Sequence, residues 1–562
     1  MSDSAHAASG VEGVDSLAKI ASSRALGAGL LVVLAALPFL STLFAPLFAD
    51  DYFHVEVAAK PGDALAHGWV LPIETAGAWW TPPGLSVQYF RPLVVVSFVV
   101  DRLLYGTHAA GYHLTNLVIH VTATLLTWAV ARRLLGAGFG AWCAGVLFAI
   151  HPCHTQAIAW ISGRTDALAA TAYVAAVLLH IASRPLRPRT AHLLGLSLVF
   201  FGLALTAKEM AITLPAVLLL HNLLRPEGES LAKRLVAPAL AGAAAVLYLA
   251  VRITLLGGFR PPPWPFAYHL GDAGLWAHLL MAPILYLADF TLFVFPDPMV
   301  TVPFWKAHAM LFGLFAVVVM ATFRGTFLRT RGKGALGWGM GWIAITLLPV
   351  ATLTVGEHFL YLPSVGYCIL VGSQLPRSPL QVDAAARRQL AIVGGLVFAI
   401  AMWRTTMFNS VARAGAGVID DAAAALDRAP SATTVLVANL PAAASLAFPH
   451  ALRAARPDRD VRTEILSITP KLVPSNEDRA LVTFSAPAHL ELRRDDGFFG
   501  SYIERALLGP RPAFRPGETI ERAGYTVTVT DASEGKLNAF AVDLRDPART
   551  LVLDDDTVLA PH

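Results

Sequence analysis

The sequence predicts a polytopic α-helical membrane protein with about 11–12 transmembrane helices and a C-terminal soluble domain that is α/β or β-rich. Hydrophobic residues make up 55% of the 562 positions and charged residues only 15%, which is too apolar for an ordinary soluble protein. Apolar runs such as 26–48 and 235–253 approach or exceed the roughly 20 residues needed to cross a bilayer. After position 408 the chain is more charged and contains no apolar run of 18 residues.

The apolar runs are predicted to be helices, because backbone groups inside a bilayer must be hydrogen-bonded within the protein. Segment 1–25 is polar and is predicted to be cytoplasmic. No small-residue cleavage site clearly follows the run at 26–48, so we interpret this run as a retained first span and not as a signal peptide.

Four clusters of basic residues set the predicted orientation, since such clusters stay on the cytoplasmic side. They lie at 132–133, 184–189, 225–234 and 324–333. The spans that alternate consistently with this orientation are predicted near 26–48, 111–131, 140–157, 165–183, 191–207, 209–224, 235–255, 307–323, 336–353, 358–376 and 389–406. Together they form a transmembrane domain at 26–408.

Two further apolar stretches, 92–105 and 275–295, do not fit this alternation. Counting either one alone as a crossing would move an arginine cluster to the wrong side of the membrane. We therefore expect both to be surface-lying or re-entrant helices, and the charged pair Asp101 and Arg102 in the first suits an interfacial position.

The C-terminal domain, 409–562, is predicted to be extracytoplasmic, because an odd number of crossings precedes it. Alternating apolar and polar residues predict short strands near 433–438, 461–468, 480–485, 525–530 and 539–544. The stretch 442–455 predicts one helix. No period of about 34 residues is visible, so helical repeats of that length are not predicted.

Charge and cysteine content exclude several classes of protein. The net charge of +4 is less informative than the position of the basic residues beside the spans, and no nucleic-acid partner is predicted. Cys143, Cys153 and Cys368 lie in or beside apolar spans and form no C-x-x-C pair. We predict neither a disulfide framework nor a zinc site, and we interpret these cysteines as small buried apolar residues.

Polar residues inside or beside spans are costly in a bilayer and therefore indicate function. In the predicted topology several outer turns, and no inner turn, combine acids, histidines and unclustered cations. The residues concerned are Asp50, Asp51, Arg91, His113, Asn116, His120, His151, His154, Arg164, Asp166, Lys208, Glu209, Glu357, His358 and Tyr361. Their convergence predicts a shared cavity.

Structural roles compete with this interpretation at individual positions. His113, Asn116 and His120 repeat at helical spacing and favour hydrogen bonds between helices over ligand contact. Arg164 and Asp166 form an ion pair between helix ends in the alternative interpretation, and Lys208 and Glu209 neutralise each other. Asp50 and Asp51 would then be the solvated end of a span.

The chemistry that suits such a cavity is transfer from a donor whose leaving group is an anionic phosphate. Arg91, Arg164 and Lys208 would hold the phosphate oxygens, since a guanidinium offers planar two-point contacts and an ammonium a point charge. Asp50 or Asp51 would remove a proton from an acceptor hydroxyl, which is worth about 100-fold to 10,000-fold in rate.

Six motifs follow one another along the chain. They are Tyr89-Phe90-Arg91-Pro92-Leu93, Gly111-Tyr112-His113-Leu114-Thr115-Asn116 with His120, His151-Pro152-Cys153-His154-Thr155-Gln156-Ala157, Gly163-Arg164-Thr165-Asp166, Lys208-Glu209 and Glu357-His358-Phe359-Leu360-Tyr361-Leu362-Pro363-Ser364. In this order the motifs resemble the membrane domain of the transmembrane and tetratricopeptide-repeat O-mannosyltransferases of the GT-C superfamily. The resemblance covers roughly 45–370.

The resemblance implies a GT-C glycosyltransferase that uses a polyprenyl-phosphate sugar, such as a mannose donor, on the extracytoplasmic face. Asp51 is then the expected base and Asp50 the alternate, and no metal or cofactor is predicted. Donor-phosphate contacts are expected from Arg91, Arg164, Lys208 and His358. Supporting residues are expected to be His113, His151, His154, Asp166, Glu209, Glu357 and Tyr361.

The chain departs from the family after the last span, where the mixed α/β domain replaces the helical repeats. The acceptor therefore stays open among a protein, a glycan and a lipid. The Ala-rich and Arg-rich composition favours a bacterial inner membrane. Two alternatives to an enzyme are a transporter or flippase of lipid-linked sugars, which the apolar cytoplasmic ends of the spans disfavour, and a non-catalytic membrane scaffold.

Overall fold

The structure is a computed structural model. It describes residues 23–68, 70–72, 77–82, 85–258, 267, 269, 272, 274–292, 333–445, 447–469, 479–500, 502–508, 513–533, 536–554 and 557–558. The predicted span near 307–323 and most of segment 1–25 lie outside the described residues.

The N-terminal two thirds of the described chain are helical. The helices are α1 Arg24–Ala36, α2 Asp51–Ala58, α3 Pro61–His67, α4 Pro92–Tyr105, α5 Ala109–Leu135, α6 Phe139–Ile150, α7 Thr155–Ala159, α8 Arg164–Ser183, α9 Ala191–Ala207, α10 Leu214–Leu224, α11 Leu231–Leu255, α12 Leu275–Leu292, α13 Lys333–Leu347, α14 Pro363–Ser373 and α15 Ala384–Arg428. A short antiparallel pair, β1 Val70–Pro72 and β2 Ser86–Gln88, lies between α3 and α4.

Within the described ranges, six helical segments are long and apolar enough to cross a membrane: Arg24–Phe44, Ala109–Leu135, Ile161–Ser183, Pro188–Ala207, Leu231–Leu255 and Ala384–Arg428. Shorter apolar helices cover Phe139–Ile150, Glu209–Leu224, Leu275–Thr291, Gly334–Val350 and Pro363–Ser373. Each predicted span within the described residues coincides with one of these helices. The stretch 92–105 is helical as predicted, and so is 275–292, the described part of the stretch 275–295. The position of both helices relative to the bilayer stays a prediction.

Prolines make two helices shorter than their predicted spans. α6 ends at Ile150, two residues before Pro152, and the chain continues as a 3-10 turn and the short α7. α14 begins at Pro363, where proline is favoured because the first helical N–H has no partner inside the helix. Turns therefore replace the end of the first of these predicted spans and the beginning of the second.

Helix α15 is continuous over 45 residues and passes through the predicted domain boundary at 409. At 1.5 Å per residue it is roughly 67 Å long, about twice the hydrocarbon thickness of a bilayer. Asp383 caps its beginning by accepting a hydrogen bond from the N–H of Ala386 at 2.8 Å. One half of α15 therefore projects out of the helix bundle towards the C-terminal domain.

The C-terminal domain contains two main sheets. Its elements are β3 Thr434–Ala438, β4 Leu440–Pro441, α16 Ala442–Ser445, α17 Phe448–Ala455, β5 Arg462–Ile465, β6 Ile468–Thr469, β7 Leu481–Ala486, β8 His489–Phe498, α18 Tyr502–Leu508, β9 Thr519–Arg522, β10 Tyr525–Ser533, β11 Lys536–Leu544, β12 Thr550–Asp554 and β13 Thr557–Val558. One sheet is antiparallel in the order β7-β8-β11-β10-β9, and the other is mixed in the order β13-β12-β3-β5.

All five predicted strand segments contain strands. The segment 461–468 is divided between β5 and β6, and the predicted helix at 442–455 is divided into α16 and α17. Pro449 lies in the first turn of α17, where it favours a new helix start. The predicted fold class is therefore confirmed: the chain is a polytopic α-helical membrane protein with a sheet-containing C-terminal domain.

Candidate active site

The two acidic residues that follow the first span differ in their surroundings. α2 begins at Asp51, whose side chain is 1% exposed. Its Oδ1 accepts hydrogen bonds from the backbone N–H of Ser162 at 2.8 Å and from the Ser162 hydroxyl at 2.6 Å. Its Oδ2 accepts a hydrogen bond from the N–H of Phe48 at 2.9 Å. Asp51 therefore attaches the acidic loop, residues 45–51, to the turn before α8.

Asp50 is half-buried, and its carboxylate has no hydrogen bond or ion pair to any described residue. Burial raises the pKa of Asp50 to about 6, while His450 acts to lower it. Burial also raises the pKa of Asp51 to about 7, against the hydrogen bonds from Ser162 and Phe48. Both carboxyl groups thus have a pKa near neutrality, which suits a general base.

The backbone before these acids is strained. Ala49 has a φ of 48°, a left-handed conformation that costs a residue with a side chain roughly 1–2 kcal/mol. Such conformations persist only where the surrounding structure fixes them. The hydrogen bonds of Asp51 supply part of that constraint at the acidic loop.

Arg91 precedes α4 and forms an ion pair with Glu209. Its Nη2 and Nε lie 2.9 Å and 3.2 Å from Oε2 of Glu209. The guanidinium also lies 4.0 Å from the ring centroid of Tyr89, and Arg252 approaches Oε1 of Glu209 at 3.9 Å. Because Arg91 is 19% and Glu209 31% exposed, an anion can reach this pair.

Lys208 lies beside this pair and binds a different carboxylate. Its ammonium donates to both oxygens of Asp166, at 2.6 Å and 2.7 Å, and lies 4.7 Å from the ring centroid of Phe359. Burial lowers the pKa of Lys208, Asp166 acts to raise it, and the nearby charge of Arg91 lowers it further. We call Arg91, Lys208 and Arg252 the cation cluster.

The ion pairs Lys208–Glu209 and Arg164–Asp166, which the alternative structural interpretation predicts, do not form. Lys208 binds Asp166 and Glu209 binds Arg91, since adjacent side chains do not face each other. Arg164 and Asp166 are two positions apart in the first turn of α8 and also point to different partners.

Arg164 pairs with Asp101 of α4. Its Nη1 lies 2.5 Å from Oδ2 of Asp101, and its Nη2 donates to the carbonyl of Tyr112 at 3.0 Å. The Arg164 side chain is 0% exposed and its guanidinium lies 4.3 Å from the ring centroid of Phe98. This arginine joins three helices and offers no free face to a ligand.

His358 is half-buried beside the cation cluster, and its hydrogen bonds fix its tautomer. Oε1 of Gln156 accepts the backbone N–H of His358 at 3.3 Å and lies 3.0 Å from its Nδ1. Because Oε1 of Gln156 is an acceptor, Nδ1 must carry the proton that it donates to this oxygen. The other ring nitrogen, Nε2, is then unprotonated and carries a lone pair. Burial, together with the positive charge of Lys208, lowers the pKa of His358 to about 4. At neutral pH, His358 therefore presents a hydrogen-bond acceptor.

Glu357 contributes to a buried charge network on the other side of this turn. Its Oε1 lies 2.6 Å from Nη2 of Arg404 on α15. Nη1 of Arg404 donates to Oδ1 of Asp289 on α12 at 3.0 Å. The network fixes the turn that carries His358 against α12 and α15.

The remaining predicted residues are buried between helices. Asn116 donates from its amide to the carbonyl groups of Ile158, Trp160 and Ile161. His120 lies 2.8 Å from the hydroxyl of Tyr361 and 3.1 Å from the carbonyl of Ala149.

His154 lies 2.9 Å from the Ser364 hydroxyl, and Nδ1 of His151 accepts the N–H of Cys153 at 3.2 Å. His113 is buried close to the backbone of Ala45 and Pro46. The predicted interhelical role is therefore confirmed for Asn116 and His120.

Several residues of the site were not predicted from the sequence. They are Asp101 as the partner of Arg164, Ser162 as the partner of Asp51, Gln156 as the partner of His358, and Arg252, Asp289 and Arg404. Arg252 has the signal that identified Lys208, a cation at the end of a span on the side of the acidic loop. No group of three or more histidine, cysteine or acidic residues suited to a metal ion occurs in the described part of the chain.

The chain is similar in sequence to several curated proteins, although no family model matches it. It is 25% identical to protein O-mannosyl-transferase Tmtc1 of Drosophila melanogaster over 59% of this chain and 50% of the relative. It is 26% identical to protein O-mannosyl-transferase F38B6.6 of Caenorhabditis elegans over 61% of this chain and 50% of the relative. A shorter match, to Tmtc2 of Drosophila melanogaster, reaches 38% identity over 26% of this chain and 16% of the relative. The chain thus spans at most about half the length of these relatives.

The chain is also similar to solved structures. ArnT from Cupriavidus metallidurans bound to undecaprenyl phosphate has a TM-score of 0.44 and 16% identity, over 78% of this chain and 90% of that chain. The oligosaccharyltransferase of Archaeoglobus fulgidus has a TM-score of 0.43 and 12% identity, over 78% and 63% of the two chains. The sequence relatives confirm the predicted resemblance to the transmembrane and tetratricopeptide-repeat O-mannosyltransferases.

Proposed function

We propose that this protein is a membrane glycosyltransferase that transfers a sugar from a polyprenyl-phosphate donor to an acceptor hydroxyl. The observation that carries the proposal is the combination of the cation cluster with a half-buried Asp50 that makes no hydrogen bond or ion pair to a described residue. Tyr89 lies near both, because its hydroxyl interacts electrostatically with Arg91 and Glu209 and also with Asp50. The names of the relatives support mannose as the sugar.

The proposed reaction is a single displacement. The acceptor oxygen attacks the anomeric carbon and loses its proton to an aspartate, while the bond between that carbon and the phosphate oxygen breaks. The products are the glycosylated acceptor and polyprenyl phosphate. The phosphate gains negative charge as the bond breaks, so cations around it stabilise the transition state more than the bound donor.

The geometry favours Asp50 as the base, whereas the family resemblance implies Asp51 as the base. Among the described residues, every hydrogen bond to the pair goes to Asp51, which leaves Asp50 able to accept a proton. Asp51 is then a positioning residue that holds the acidic loop against Ser162. A pKa near neutrality allows Asp50 to be ionised and still basic enough to take a proton.

The donor phosphate is proposed to bind at the cation cluster. Arg91, Lys208 and Arg252 carry three positive charges against the two carboxylates of Asp166 and Glu209, so one positive charge is left for an anion. Arg164 is not included, because it is fully buried and paired with Asp101.

His358 is proposed to contact the sugar and not the phosphate. Its neutral ring presents the lone pair of Nε2, which can accept a hydrogen bond from a sugar hydroxyl but cannot donate to a phosphate oxygen. The proposal places this site on the extracytoplasmic face of a bacterial inner membrane, with a protein, glycan or lipid as acceptor.

The proposal is tested with purified protein and a panel of polyprenyl-phosphate sugars, including undecaprenyl and dolichyl phosphate mannose. Mass spectrometry measures release of polyprenyl phosphate, with water as the substitute acceptor. We expect release from at least one mannose donor. A protein that binds none of the donors and releases no polyprenyl phosphate would refute the proposed function.

The pH dependence of release follows from the pKa of Asp50, which burial raises to about 6. Only the carboxylate can accept a proton, so kcat/KM is expected to rise with pH, to be half-maximal near that pKa and to level off above it. The measurement is kcat/KM across the range from about pH 4.5 to pH 8. A rate that is constant across this range contradicts an aspartate base at this site.

Replacement of Arg91 is expected to weaken donor binding. Arg91→Met removes a charge and the two-point contact, so the Kd for undecaprenyl phosphate should rise about 10-fold or more. Arg91→Lys keeps the charge and should show a smaller rise. Titration calorimetry in detergent measures both, and an unchanged Kd in Arg91→Met would place the phosphate elsewhere.

A further inference from the structure

The acidic loop and Arg91 are joined by the segment between α2 and α4, and part of this segment is buried in the C-terminal domain. α2 starts at Asp51, and Arg91 immediately precedes α4. Between these helices the chain leaves the membrane bundle, and Trp79 and Trp80 are buried in the core of the C-terminal domain at 0% and 1% exposure. The acidic loop and Arg91 are thus connected through that domain.

Trp79 makes the closest contacts in this connection. Its Nε1–H donates to the carbonyl of Leu466 at 2.9 Å. Its ring centroid lies 4.8 Å from that of Phe540 and 5.6 Å from that of Phe514. A buried tryptophan contributes a large apolar area and favourable contacts between rings, and here its N–H is also hydrogen-bonded, so Trp79 anchors this segment.

The backbone beside Trp79 also joins the domain. The carbonyl of Gly77 accepts the N–H of Ile465, the last residue of β5, at 2.5 Å. Gly77 has a φ of 72°, and a side chain there would lie 2.6 Å from the carbonyl oxygen of Thr463. Glycine is therefore required where the loop adds to the sheet edge.

Three side chains connect this anchored domain to the catalytic groups. Tyr52, next to Asp51, packs against the core of the C-terminal domain, and so does Tyr89, which lies under the guanidinium of Arg91. On α2, Glu56 lies 2.7 Å from Nδ1 of His450 and 3.3 Å from Nε of Arg453, both on α17.

We propose that Trp79 is a positioning residue, through which the C-terminal domain holds the acidic loop and Arg91 in their reactive geometry. The proposal rests on the function proposed above and assigns a role to the C-terminal domain. Displacing a catalytic group by about 1 Å can reduce a rate about 100-fold, so a loop anchor can control turnover without touching substrate.

The test compares Trp79→Ala, Trp79→Phe and Phe484→Ala in the full-length protein. Phe484 lies on the edge strand β7 and is a control for general loss of packing in the same domain. We measure kcat and KM for release of undecaprenyl phosphate from undecaprenyl phosphate mannose, and hydrogen exchange of the α2 and α8 amides.

Trp79→Ala is expected to lower kcat by about 10-fold to 100-fold and to speed exchange in α2, but not in α8. Trp79→Phe keeps the aromatic contacts and should recover most of kcat. Equal losses of kcat in Trp79→Ala and Phe484→Ala would overturn the proposal, as would wild-type exchange in α2 of Trp79→Ala. If the wild-type protein releases no sugar, the proposed function fails, and the exchange data alone decide whether Trp79 holds α2.

Discussion

Replacing Asp50 by Asn is expected to reduce kcat for sugar transfer by about 100-fold to 10,000-fold, the usual contribution of a general base. Asparagine keeps the size of the side chain but cannot accept the proton of the attacking hydroxyl. Because Asp50 makes no hydrogen bond to a described residue, the substitution breaks no hydrogen bond within the described part of the chain. Release of polyprenyl phosphate measures kcat, and binding of undecaprenyl phosphate should be unchanged.

Two matched substitutions show whether the effect belongs to Asp50. Asp63→Asn removes an exposed carboxylate from α3, the next helix, and should leave kcat within about 2-fold of the wild type. Asp51→Asn replaces an acceptor of three hydrogen bonds with an amide whose NH2 group would face a backbone N–H, which is itself a donor, so it should lower both kcat and thermal stability.

The order of these effects decides between the two acids. If Asp51→Asn abolishes transfer with unchanged stability while Asp50→Asn retains it, then Asp51 is the base, as preferred from the resemblance. If both variants are as active as the wild type, neither acid takes the proton.

Much of the fold could be predicted because burial in lipid and in sheets leaves periodic signals in the sequence. Length and hydropathy gave the spans, and alternation gave strands such as β3 and β10. The continuation of α15 beyond 408 was not predicted, because its second half is alanine-rich and charged and so lacks a membrane signal. β8 was missed because charged residues interrupt its alternation.

Many residues of the candidate site could be predicted from the sequence, but the ion pairs and hydrogen bonds between them could not. Polar residues at the ends of several spans are costly unless they meet, which identified Asp51, Arg91 and Lys208. Their partners depend on how the helices pack. Arg164 binds Asp101, 63 positions away, and not its neighbour Asp166. The same limit applies to Trp79, whose partners lie in the C-terminal domain.

The pair formed by Arg164 and Asp101 is expected to have the largest effect on stability. Both side chains are at most 2% exposed, and their charges lie 2.5 Å apart. Arg164→Met leaves the carboxylate of Asp101 buried with the hydroxyl of Thr115 as its remaining polar partner. An unpaired buried charge of this kind lowers the free energy of unfolding by about 3–5 kcal/mol.

The double variant Arg164→Met/Asp101→Leu separates the cost of the unpaired charge from the value of the pair. Replacing both members of a buried ion pair with apolar residues is often neutral, so the double variant should be more stable than Arg164→Met alone. Arg189→Met, at an exposed position, is the control and should change stability by less than about 0.5 kcal/mol. Equilibrium unfolding in mixed detergent and SDS measures all three. If Arg164→Met is as stable as the wild type but fails to bind undecaprenyl phosphate, then Arg164 contacts the donor after all and the cation cluster must be extended to it.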